Sequence, residues 1–139
     1  MINMEVKLAL LADYANVSRE GKLNVMGIFD TINAPSLPWN HPQMQLVLTF
    51  DANPAEWDTQ KKVQIKLLDA DAHEKLTMGA DLKVPRGKSG RNVAINSIIT
   101  INNLRFDVAG DYVFYILIGE ETKKEILLTV NFVSRPDRT

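Results

Sequence analysis

At 139 residues the chain has a single-domain length, and it can bury roughly two-thirds of its unfolded surface, enough for a core without staples. It contains no cysteine, which excludes disulfides, thiolate metal sites and thiol nucleophiles. Sixteen basic against seventeen acidic side chains leave a formal net charge of −1 without any block of like charge, whereas nucleic-acid binding needs a basic surplus, so nucleic acid is not an expected partner.

In chain order, the opening "MINMEVKLALLADY" has an apolar run only from Leu8 to Ala12, shorter than a signal-peptide core. Glu5 and Lys7 alternate with apolar neighbours, as in a strand. No stretch approaches the ~18 apolar residues of a membrane span. The expectation is a soluble, cytoplasmic protein. The next stretch, "LLADYANVSREGKLNVMGIFDTI", sets polar residues and Gly21 between two apolar runs. Val17 to Gly21 reads as a turn, and Asp13, Tyr14 and Asn16 are placed to pin the crossing through local backbone bonds.

From there the period is two. "QMQLVLTF" puts Met44, Leu46, Leu48 and Phe50 on one face, and "KKVQIKLL" does the same with Val63, Ile65 and Leu67. "KLTMGADLKV" aligns Leu76, Met78, Ala80, Leu82 and Val84, and "EILLTVNF" aligns Ile126, Leu128, Val130 and Phe132. "YVFYILIG" and "KLNVMGIF" are apolar on both sides, which suits central strands or strands covered by a partner subunit. Uneven parity around Asn96 and Ser97 predicts a bulge.

About eight strands result: 4–12, 22–31, 43–50, 61–69, 75–84, 92–102, 111–118 and 123–133, separated by glycine and proline turns. They form one domain, 1–133, followed by a polar tail, 134–139, expected to fray. The expected fold class is all-β, an antiparallel two-sheet β-sandwich, immunoglobulin-like in general architecture. "LRFDVAGDYVFYI" fits it: Gly110 turns the chain and Tyr112 enters a strand, resembling a tyrosine corner whose hydroxyl bonds backbone upstream. Gly110 and Tyr112 are therefore read as structural residues.

Chemistry is harder to find. "PRGKSGR" contains Gly-Lys-Ser, but a phosphate loop needs glycine where Leu82 stands and a helix where "VAINSIITI" is a strand. The only histidines are His41 and His73, and no serine sits in a Gly-x-Ser-x-Gly elbow. If strands simply alternate in direction, loops 13–21, 51–60, 85–91 and 118–122 share one end. Loops 32–42, 70–74 and 103–111 share the other, which then gathers Asp30, Asp69, Asp71, Asp107 and Asp111 with His41 and His73. Calcium takes six to eight oxygens, so Asp69, Asp71, Asp107 and Asp111 are its candidate ligands, although aspartate favours turns for its own backbone bonds. Trp39 and Trp57 flank a strand of about 25 Å and cannot make one site. Trp39, between Pro38 and "NHP", is expected at the surface and, with His41, is the candidate ligand or partner contact.

Three stretches carry a family likeness: "LLADYANVSREGKLNVMGIFDTI", "LPWNHPQMQLVLTFDANPAE" and "VPRGKSGRNVAINSIITINNLRFDVAGDYVFYILIGEE". Their pattern is Ala12-Asp13, Gly21-Lys22-Leu23-Asn24, Gly27 and His41-Pro42, with Gly110-Asp111-Tyr112 near the end. The chain resembles a family of small bacterial all-β domains of unknown function, and the likeness implies a cytoplasmic bacterial protein with no catalytic residues to carry over. The functional expectation is a non-catalytic binding or interaction module. It has no cofactor, and its partner is an unidentified protein or a second copy in a homodimer. One alternative is a calcium-dependent sandwich that binds a ligand or lipid through the aspartate-rich end. Another is a hydrolase whose site carries no recognised motif.

Overall fold

Alternating apolar side chains can be buried only if the chain is extended, and nearly every segment of this one is. The computed structural model describes residues 4–133, so the tail 134–139 lies outside the described residues. Among the described residues there are nine strands: β1 (Glu5–Val17), β2 (Leu23–Phe29), β3 (Thr31–Ala34), β4 (Trp39–Ala52), β5 (Gln60–Leu68), β6 (Glu74–Lys83), β7 (Val93–Phe106), β8 (Gly110–Ile118) and β9 (Glu121–Phe132). They form a four-stranded sheet, β2-β1-β4-β7, and a five-stranded sheet, β3-β9-β8-β5-β6. No helix among these residues is long and apolar enough to cross a membrane.

The inner faces of both sheets feed one core cluster. Leu46, Leu48 and Phe50 of β4 come from the first sheet, and Ile65, Leu67, Phe114 and Ile116 of β5 and β8 from the second. Each fully buried side chain of this kind stabilises the fold by roughly 1.5–3 kcal/mol. Phe132 breaks the pattern and is exposed. Between β4 and β5 a single 3-10 turn, Pro54–Glu56, is closed by a capping box in which the Asn53 side chain accepts from Ala55 N–H. Its Glu56 carboxylate is buried yet well served, accepting from Met4 N–H at 2.8 Å and Asn53 N–H at 3.3 Å beside Lys61 Nζ at 3.1 Å.

The structure corrects four expectations. There are nine strands rather than eight, because Asp30 ends β2 and the chain changes sheet there: its carbonyl accepts from Thr129 N–H and β3 continues beside β9. The β3–β9 pair is parallel, so the fold is not wholly antiparallel. That extra strand also upsets the parity of loop ends. Ala12 pairs with Gln45 and β1 runs on for five residues, so the β1–β2 hairpin lies toward the Trp39 end of β4, not with loop 51–60. Finally, β7 pairs with β4 in unbroken register from Val93 to Phe106, with no bulge at Asn96 and Ser97. Ser97 faces inward opposite Leu48, and Asn96 faces outward, accepting from Thr49 Oγ1 at 2.8 Å.

Candidate functional site

Trp39 and His41 stand two residues apart on β4, hence on one face of the strand. The Trp39 indole N–H donates to His41 Nδ1 at 3.3 Å, and the Phe29 ring lies 6.0 Å from the imidazole, centre to centre. With Asp13, Thr31, Ile32 and Asn33 they line a concavity of about 200 Å³. Trp39 is not the exposed loop residue expected from its prolines: it is the first residue of β4, half-buried and packed against the core. Burial lowers the pKa of His41, and the Asp13 carboxylate partly opposes that shift. Gly27 makes the corner fit, because a Cβ there would stand 2.4 Å from Asp13 Oδ2.

The aspartates follow turn chemistry. Asp69, Asp71 and His73 bring ligand atoms within 4.8 Å of one another, and Asp69, Asp71 and Asp111 line one cleft with Gly110 and Tyr112. Asp69, however, is already engaged: Oδ1 accepts from the backbone N–H of Asp71 and His73 at 2.9 and 2.8 Å, and Oδ2 lies 3.3 Å from His73 Nδ1 and 3.6 Å from Lys75 Nζ. The His73 N–H is the main reason its pKa falls below the usual value. Asp107 turns to Arg105 at 2.7 Å, Asp111 accepts from Thr129 Oγ1 at 3.1 Å, and Asp30 accepts from Thr31 Oγ1 at 2.9 Å. The Tyr112 hydroxyl donates to Val108 O at 2.6 Å, four residues back, while its ring meets Phe106 edge-on at 5.0 Å.

A third surface carries side chains the motifs did not single out. On the outer face of the four-stranded sheet, the register aligns Leu10, Val47 and Ile98 in one row and Ile28, Ala12, Gln45 and Thr100 in the next. Ala15, Leu23 and Val25 continue the same cluster beyond them. Ile28, opposite Ala12, is 65% exposed on this face. The polar groups on this face satisfy one another: Thr49 Oγ1 donates to Asn96 Oδ1 and Thr100 Oγ1 to Gln45 Oε1, at 2.8 and 3.0 Å. The signal was the two-sided apolar run of β2, whose sheet-edge position the sequence did not reveal.

A family model of a domain of unknown function matches residues 7–131. The chain belongs to this family of unknown function, DUF6941. No curated protein matches the sequence. Among solved structures, an alkylpurine DNA glycosylase of Pseudomonas fluorescens, bound to DNA containing an abasic site analogue, is similar at TM-score 0.52 and 12% identity. The match covers 93% of this chain and 30% of that one, so this domain spans under a third of the enzyme and the likeness is one of fold. An immunoglobulin-like protein from Pseudomonas aeruginosa matches at TM-score 0.46 and 9% identity, over 94% of this chain and 98% of its own. A β-glucosidase from Listeria innocua in complex with gluconolactone matches at TM-score 0.47 and 9% identity, over 96% of this chain and 16% of that one.

Proposed function

We propose that this DUF6941 domain is a non-catalytic β-sandwich, immunoglobulin-like in general architecture, that acts as an interaction module and pairs with a second copy of itself. The observation that carries this reading is the apolar outer face of β2-β1-β4-β7, where Leu10, Ala12, Ala15, Leu23, Val25, Val47 and Ile98 pack together beside the exposed Ile28. Polar side chains there are already paired within the chain, so covering the face strands few hydrogen-bonding groups. Four strands at ~4.8 Å and about ten residues of length give a face of roughly 600 Å². A standard interface takes ~800 Å² per partner, which the rim of β2 can complete. The edge strand β2 contains neither proline nor charge, the usual guards against pairing with another chain. A self-complementary patch of this kind closes as a two-fold dimer.

Light scattering on the eluting protein tests it. A dimer at micromolar concentration that becomes a monomer in Val25→Asp and Ile28→Asp supports the reading, whereas a monomer at hundreds of micromolar would refute it. The calcium reading has less support, since both Asp69 oxygens already face intramolecular donors.

A further inference from the structure

The two sheets do not have equal numbers of strands, and the mismatch falls at one edge. β1 is the first-sheet strand that approaches β9, and Lys123 of β9 binds Glu5 of β1 at 3.1 Å. Counting outward from that pair sets β4 over β8 and β7 over β5. Nothing in the first sheet then lies over β6. Its inward residues Leu76, Met78 and Leu82 are accordingly only half-buried, and Ala80 is exposed. Between them and β7 lies an apolar cleft of about 240 Å³ that reaches Leu48, Phe50, Val63 and Ile65. Two small side chains, Ala80 on β6 and Ser97 on β7, leave its middle unfilled.

The neighbouring edge is open as well. β7 is 14 residues long, has no proline, and carries no charge from Val93 to Leu104. An unpaired edge of this length offers a row of free backbone donors and acceptors. From these two observations we propose that the β6–β7 cleft receives an extended segment of another polypeptide as the fifth strand of the first sheet. Its backbone pairs with β7, and every second side chain, aliphatic, enters the cleft over Ala80 and Ser97. The inner stretch from Met78 to Leu82 corresponds to about five residues, or ~17 Å. The cleft is roughly one and a half times the ~150 Å³ cavity that takes up benzene, so it has room for about two medium aliphatic side chains.

A second copy of this domain is the less suitable occupant. Its strands other than β6 bring their own covering sheet, and beside β7 that layer is already taken by the overhanging β6. An isolated strand, free of a second layer, meets no such clash. This site is also separate from the outer face of β1 and β2, so Ile28→Asp leaves it intact.

The probe is the synthetic peptide Lys-Thr-Val-Thr-Leu-Thr-Val-Thr-Lys, titrated into the full chain and followed by amide NMR. Expected are saturable binding, slowed exchange at alternate β7 amides, and a loss of at least tenfold when the same residues are reordered to break the alternation. N-methylation of one alternate set of peptide amides should abolish binding while the other set is tolerated. Ala80→Phe and Ser97→Leu, which plug the cleft, should each weaken it at least tenfold with near-UV circular dichroism unchanged. Two variants are used so that a folding defect in one leaves the other to decide. Failure of the peptide to bind at millimolar concentration, or binding indifferent to N-methylation and to both plugs, overturns the proposal. Binding of octanol, sensitive to the plugs, in place of the peptide would overturn it too.

Discussion

A methyl group at residue 27 has no room. Its Cβ would stand 2.4 Å from Asp13 Oδ2, and the backbone there holds φ at +70°. Gly27→Ala should therefore cost ~1–3 kcal/mol, read as a lower urea midpoint at unchanged slope. Adding Asp13→Ala should restore the steric part of that loss and leave the part due to φ. His41 adds a pH dependence. Burial sets its folded pKa below its ordinary value of 6.5, so between the two the unfolded chain binds more protons. Stability is then complete above pH 6.5 and declines as pH falls through the folded value. Protonation of Nδ1 would also remove the acceptor of the Trp39 N–H, which acts in the same direction. Melting temperature followed from pH 7.5 to 5 should fall in the parent chain and flatten in His41→Gln. Both Gly27 and Asp13 stand out in the sequence as a motif. Their contact was not legible, because it depends on a cross-strand register that no local pattern encodes.

At the scale of elements, period-two alternation located the buried face of β5, whereas β4 is buried on both faces from Met44 to Phe50, Gln45 and Thr49 included. Edges are another matter. β3 has four residues next to Pro35, too few for a period to show, and it gains its stability from pairing with β9 rather than from its own pattern. The uneven parity of β7 came from a half-open edge on which Ser97 can face inward at little cost, and not from an inserted residue. The 3-10 turn offers a sharper test. Glu56→Ala would leave the N–H groups of Met4 and Asn53 without their carboxylate. A loss of ~2–4 kcal/mol is expected from such a buried charged acceptor, measured by chemical denaturation. Glu56→Gln, which keeps one acceptor oxygen, should lose about half as much.

For the whole molecule, the aspartate-rich end was foreseen in part from topology: Asp69, Asp71 and Asp111 do share a cleft. What the sequence could not give was the donors already assigned to Asp69 and Asp111. Bound calcium at 100 times its dissociation constant would add ~2.7 kcal/mol, which in a domain of this size is a rise of several degrees. Melting temperatures in millimolar calcium and in EDTA should agree within about one degree, because the Asp69 oxygens would first have to release His73 and Lys75.

The passage of the chain from β2 through Asp30 into β3 has a mechanical corollary. It sews the two layers together along one margin, much as a binding holds pages, and the ion pair of Glu5 with Lys123 adds a stitch on that side. The margin of β6 and β7 is joined only at one end, by residues 84–92, so breathing there opens from the other end. Deuterium uptake should then begin in β6 and the outer amides of β7, and reach the central strands β4 and β8 last.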